Sequence, residues 1–132
     1  MSTTTPDTRI EWALLADYAL VDTSGKLSLI GVFNRLRAPA FPSLQPVIFF
    51  ASSMQGIANR AITSELRVWS PSKELLVGGQ QQAQLGQDGR ANGIYRLSPL
   101  PLTNPGTYIF ELLLDGASAV HVPLDVEQVT SQ

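Results

Sequence analysis

A chain of 132 residues has the length of one domain, enough to bury about two thirds of the surface its unfolded form exposes. Nine Lys and Arg stand against eleven Asp and Glu, a net charge of −2. That offers no basic stripe for nucleic acid and no pull toward anionic lipid. There is no cysteine, hence no disulfide and no thiolate metal site.

No run approaches 18 apolar residues, so the sequence predicts no membrane span. Met1 to Asp7 is polar and lacks the charged and apolar regions of a secretory signal, so a cytoplasmic location is expected. Residues 1–10 and 129–132 are expected to be tails around one domain over 11–128. Charged residues make up only 15% of the chain, against 44% in the AVILMFWYC set; about 25% charged is usual. A small domain with so few charges either covers itself with neutral polar groups, such as Gln80, Gln81, Gln82 and Gln84, or is buried against another chain.

Strand-length apolar segments recur along the sequence. Glu11 to Asp22 is apolar on both alternating faces, Trp12, Leu14, Tyr18 and Leu20 on one and Ala13, Leu15, Ala19 and Val21 on the other. Such a strand is central or faces an interface. Asp22-Thr23-Ser24-Gly25-Lys26 is a turn in which Gly25 can supply a positive φ. It leads into a strand from Leu27 to Arg37, with Gly31 marking a bulge or a close approach. Pro39, Pro42 and Pro46 remove three donors, which predicts an irregular crossover. Val47 to Ser53 reads as a short buried strand. Asn59 to Ser70 alternates, with Ile62, Ser64, Leu66 and Val68 on one side and Thr63, Glu65, Arg67 and Trp69 on the other. Glu74 to Leu85 is the next strand, with a bulge or bend expected at Gly78-Gly79.

Gln87-Asp88-Gly89-Arg90 is the strongest hairpin signal in the chain, and Ala91 to Leu97 is the returning strand. Pro99, Pro101 and Pro105 predict a second crossover. Thr107 to Asp115 places Tyr108, Phe110, Leu112 and Leu114 on one face, and Asp115-Gly116 is another turn. Ala119 to Gln128 closes the pattern, with Val120, Val122, Leu124 and Val126 inward. Pro123 cannot donate to a ladder, so it marks an edge or a bulge. The spacing predicts an all-β fold, a single antiparallel β-sandwich of about eight strands.

Few residues offer chemistry. His121 is the one histidine, too few for a multi-histidine metal site and the sole base for a Ser-His-Asp arrangement. There is no G-x-S-x-G elbow. Asp22, Asp88 and Asp115 sit in turns, where an Asp bonds its own backbone, and none belongs to a calcium loop. The glycine pairs open no helix and precede no phosphate-binding Lys. Arg35 and Arg37 share a strand face and could hold an acidic partner.

The runs Ala16-Asp17-Tyr18-Ala19, Val21-Asp22, Gly25-Lys26-Leu27-Ser28-Leu29-Ile30-Gly31-Val32-Phe33, Ala38-Pro39 and Phe41-Pro42 resemble a family of small bacterial proteins known as a domain of unknown function. Asp88-Gly89-Arg90-Ala91 and Pro105-Gly106-Thr107-Tyr108 fit the same family, and the likeness spans about residues 11 to 127. It implies a compact bacterial β-sandwich and brings no activity, cofactor or catalytic residue with it.

The expectation is therefore a non-catalytic protein-binding or assembly module. It needs no cofactor or metal and binds neither nucleic acid nor membrane. Its partner would be a second copy or another protein, met through Trp12, Tyr18, Arg35, Arg37, Phe41 and Trp69, since aromatics and arginines concentrate binding energy at interfaces. The alternative is a sandwich that holds a small apolar or sugar-like ligand in an aromatic-lined cleft. Phe41 and Leu44, on the proline-stiffened segment, could instead fold over the apolar sheet and cover it.

Overall fold

A computed structural model describes residues 7–129. The described residues hold eleven strands and no helix. The tails over 1–6 and 130–132 lie outside the described residues. Thr8 is buried and the first strand begins at Arg9, inside the expected N-terminal tail.

Four strands, β1 (Arg9–Val21), β2 (Leu27–Phe33), β5 (Ile48–Gln55) and β8 (Arg90–Leu97), form one sheet in the order β2-β1-β5-β8. Five strands, β3 (Arg35–Ala38), β6 (Ala61–Trp69), β7 (Leu75–Gln84), β10 (Gly106–Leu114) and β11 (Ala117–Gln128), form a second sheet in the order β3-β11-β10-β6-β7. Two short strands, β4 (Ser43–Gln45) and β9 (Leu100–Leu102), pair with each other. The expected eight strands of a single antiparallel sandwich are corrected to eleven strands in three sheets, one pairing of which, β3 with β11, is parallel.

The inner faces of the two larger sheets share one core. Leu15, Ile48, Phe50, Met54, Tyr95 and Leu97 come from the four-stranded sheet; Ile62, Leu66, Val68, Tyr108, Phe110, Leu112, Leu114, Leu124 and Val126 come from the five-stranded sheet. Phe50 and Phe110 stack across the gap with centroids 6.2 Å apart and planes 5° from parallel. The alternation expected in β6 is obeyed residue by residue, and that in β10 as far as Leu112, because a pleated strand sends every second side chain to the same layer; Leu113, next to a register shift, is buried as well. Two core tyrosines keep their hydroxyls bonded, as burial demands. Tyr95 meets the Ser64 hydroxyl of the opposite sheet at 2.6 Å. Tyr108 donates to the Asn104 carbonyl at 2.6 Å and accepts from the Asn104 amide at 3.1 Å, the corner device of many β-sandwiches.

Several local readings change. The segment Leu27 to Arg37 is two strands, because the chain leaves one sheet at Asn34 and enters the other as β3. The proline segments are not wholly irregular, since each contributes a strand to the β4–β9 pair. The Asp88-Gly89 turn forms, with Gly89 at φ 75° and the Gly89 amide donating to the Gly86 carbonyl at 3.0 Å. It is nevertheless no hairpin: β7 and β8 belong to different sheets, so the turn is a corner between layers. Gly78 and Gly79 stay in register with Arg67 and Leu66, and the irregularity falls beyond the Val68–Val77 pair, where Trp69 pairs with Leu75. Asp115 and Gly116, at φ 49° and 84°, make the tight hairpin between β10 and β11. Pro123 pairs with Ile109 on one side, and β3 reaches only Asp125 to Gln128 on the other. Its missing donor therefore falls where β11 has no second neighbour.

Candidate functional site

The outer face of the four-stranded sheet can be read row by row from its register. Asn92, Ser53 and Trp12 form one row, and Ile94, Ala51 and Leu14 the next. Arg96, Phe49, Ala16 and Val32 follow, then Tyr18 beside Ile30, then Leu20 beside Ser28. The first row is polar apart from Trp12 and continues into Glu11, which accepts from the Ser53 hydroxyl at 3.3 Å and pairs with Arg90 at 3.6 Å. The remaining rows are apolar apart from Arg96 and Ser28. Phe49, Ala16 and Ala51 are buried by their own neighbours, and Tyr18 packs edge-on against Phe49 at 5.3 Å. Leu14, Tyr18, Ile30 and Val32 remain 38%, 47%, 58% and 53% exposed. This contiguous apolar surface lies opposite the core.

The hairpin that carries most of this surface is held by its turn. The Asp22 carboxylate accepts from the Ser24 hydroxyl at 2.6 Å, the Ser24 amide at 2.8 Å and the Lys26 amide at 3.0 Å. These bonds, the Ser24 hydroxyl first, hold the Asp22 carboxyl below its ordinary range. Gly25 takes φ 86°. Gly31 takes φ 70°, and a side chain there would strike the Asp17 carboxylate, so the close approach expected at this glycine is real.

The outer face of the five-stranded sheet is built differently. Trp69 Nε1 donates to Glu111 at 3.1 Å, Arg67 bonds Glu65 at 2.8 Å, Thr107 donates to Asp125 at 2.9 Å, and Gln82 Nε2 donates to Thr63 at 3.1 Å. His121 Nε2 lies 3.5 Å from Glu111. Donation from Ser118 and then Trp69 holds the Glu111 carboxyl below its ordinary range, against the opposing effect of burial. Arg67 and burial act in the same two senses on Glu65, which is also lowered. At one end a hollow of about 450 Å³ is lined by Trp69, Ser70, Pro71, Lys73, Thr107, Ile109 and His121.

The six side chains singled out from sequence therefore occupy separate places. Trp12 and Tyr18 share the outer face of the four-stranded sheet. Arg35 and Arg37 sit on β3 and straddle Glu127 at 3.4 and 3.5 Å. Phe41 packs against the core, and Trp69 borders the hollow on the other sheet. Leu44 stands 63% exposed, so the proline segment leaves the Leu14–Tyr18 surface open. Leu15 is a core residue, and Leu14 takes the outward position beside it. Ile30 and Val32 were not singled out. The signal was present: a hairpin closed over Asp22–Lys26 sets Ile30 opposite an outward Tyr18. Among the described residues, no three or more His, Asp or Glu side chains gather where they could hold a metal ion, and no helix is long and apolar enough to cross a membrane.

Fold and surface together define an all-β domain with two unlike outer faces. The chain belongs to DUF6941, a family of unknown function whose model matches residues 11–127. No curated protein matches it in sequence. Among solved structures it is similar to the Pseudomonas fluorescens alkylpurine DNA glycosylase AlkC bound to DNA containing an abasic site analog. The TM-score is 0.59 at 7% identity, over 92% of this chain and 30% of that one. It is also similar to the C-terminal domain of wzt, with a TM-score of 0.53 at 10% identity, over 97% of this chain and 77% of that one. At these identities the likeness is one of fold. The chain spans less than a third of the glycosylase.

Proposed function

We propose that this two-layered β-sandwich is a non-catalytic docking module that binds protein through the apolar half of the four-stranded sheet's outer face. The observation that carries the reading is the contiguous exposure of Leu14, Tyr18, Ile30 and Val32 on the face opposite the core. Scattered apolar side chains are ordinary on a surface, whereas a continuous patch with a polar border is characteristic of an interaction site. The 15% charge content agrees with a domain whose surface is partly covered in use.

The test is native size separation of extracts from cells that make the protein. The wild-type chain should migrate well above its own 14.3 kDa. A Leu14→Arg, Tyr18→Arg variant that keeps its β-type circular dichroism should return to monomer mass. A wild-type monomer, or a variant still in the complex, defeats the reading.

A second reading rests on the hollow beside Trp69, whose size and mixed apolar and polar lining suit a small apolar or sugar-like ligand. Titration of a ligand panel, followed through the Trp69 indole resonance, addresses it. A ligand that binds the wild type and not Trp69→Ala supports it, and a panel without response removes it.

A further inference from the structure

An edge strand offers unpaired N–H and C=O groups to any added strand unless charge, proline, a bulge or a cover prevents it. The outer strands of the two larger sheets other than β2 carry such a device. On one side β7 is broken by the register shift between Val68 and Trp69 and reaches β8, where Gln81 Nε2 donates to the Ile94 carbonyl at 2.8 Å. On the other, β3 is four residues long and carries Arg35 and Arg37, and the part of β11 beyond β3 carries Pro123. β2 has no such protection apart from one irregularity, Gly31 at φ 70°. Its seven residues, Leu27–Phe33, include no charge and no proline, it pairs with β1 alone, and no residue in it is fully buried. It is also the outer strand of a hairpin whose far end lacks a third strand. β1 meets β5 only from Arg9 to Ala16 and meets β2 from Leu15 to Val21. Two strands alone are marginal in water.

We propose that β2 is the edge on which a second copy of this chain adds, antiparallel, joining the two four-stranded sheets into one of eight. The proposal goes beyond the docking reading, because it concerns the edge beside the apolar face rather than the face itself. A two-fold interface must be complementary to itself, and the uncharged β2 can face its own copy without opposing like charges. The same pairing through β3 would bring Arg35 and Arg37 toward their copies. With the two-fold axis at Ile30, Ile30 faces its copy, Ser28 faces Val32 of the second copy, and Gly31 faces Leu29 of the second copy. Each unlike pair sets a small residue against a large one, the fit that cross-strand neighbours need. Tyr18, beside Ile30 on the same face, then lies next to the seam and extends its apolar surface.

Sedimentation of the purified chain alone, with amide hydrogen exchange at low and high concentration, tests this. The expected result is a dimer of twice 14.3 kDa in which exchange of the β2 amides slows several-fold as concentration rises. Ile30→Lys, at an exposed position, should keep the fold and shift the dimer dissociation constant upward by at least tenfold. A purified chain that stays monomeric at some hundreds of micromolar overturns the proposal. So does a dimer in which β2 exchange is independent of concentration. If the purified chain is monomeric while extracts still hold a complex that needs Leu14 and Tyr18, the second copy is excluded and the docking reading survives.

Discussion

The two outer faces of this domain are made from similar strands and differ in how their apolar groups are bordered. On the five-stranded sheet, Trp69 and Ile109 lie among side chains that bond one another, Trp69 to Glu111, Thr107 to Asp125, and Gln82 to Thr63. The polar groups of these pairs satisfy one another. On the four-stranded sheet, the rows from Leu14 to Ile30 present carbon, and polar bonding stops at the Glu11–Ser53–Arg90 corner. The contrast locates the surplus that the composition implies: the shortage of charge is concentrated on half of one face.

Substitutions can break or sharpen this contrast. The largest effect should come from the inner wall that both sheets share. Phe110→Ala removes a fully buried ring stacked on Phe50 and should cost about 3–5 kcal/mol in denaturant unfolding. Gly89→Val, at the corner between the sheets, combines a positive φ with a collision against the Gly56 carbonyl. It should cost at least about 2 kcal/mol, and an unchanged midpoint would mean that the corner is not rigid. On the five-stranded face, Trp69→Phe removes the bond to Glu111 and should lower stability by about 1 kcal/mol. On the four-stranded face, Val32→Thr, isosteric at a position 53% exposed, should change the stability of the dilute monomer by no more than about 0.5 kcal/mol while weakening association. If Val32→Thr proves the more destabilising of the two outer-face changes, the assignment of roles to the faces is reversed.

Acid should act on the polar face. Glu111 titrates below its ordinary value in the fold. The unfolded chain therefore takes up a proton at higher pH than the folded one, and stability falls as the pH drops from the ordinary carboxylate range through the lowered value. Melting temperatures measured between pH 7 and pH 2 should show this decline, and Glu111→Gln should flatten part of it.

Much of the inner architecture was legible from side-chain period alone. Ile62, Leu66 and Val68, and Tyr108, Phe110, Leu112 and Leu114, each group on one strand face by sequence, all lie in the core, because a strand repeats every two residues whatever it packs against. The turns at Gly25 and Asp115-Gly116 were legible for an equally local reason, since a positive φ strongly favours Gly and a few polar residues. Pairing was less accessible. Asp88-Gly89 specifies a reversal of the chain, yet the strands it joins enter different sheets. Likewise, nothing within Leu27–Arg37 announces that it changes layer at Asn34.

The candidate site divides the same way. Sequence alone established that β1 is apolar on both sides and that one side needs a cover. Which side is open, and that Ile30 and Val32 join Leu14 and Tyr18 there while Phe41 turns to the core, was decided by the register of β2 on β1 and by the packing of the second sheet. Alternation is a property of one strand, set by local backbone geometry. The identity of the covered face is a property of two sheets, set by which apolar surfaces meet at the lowest free energy.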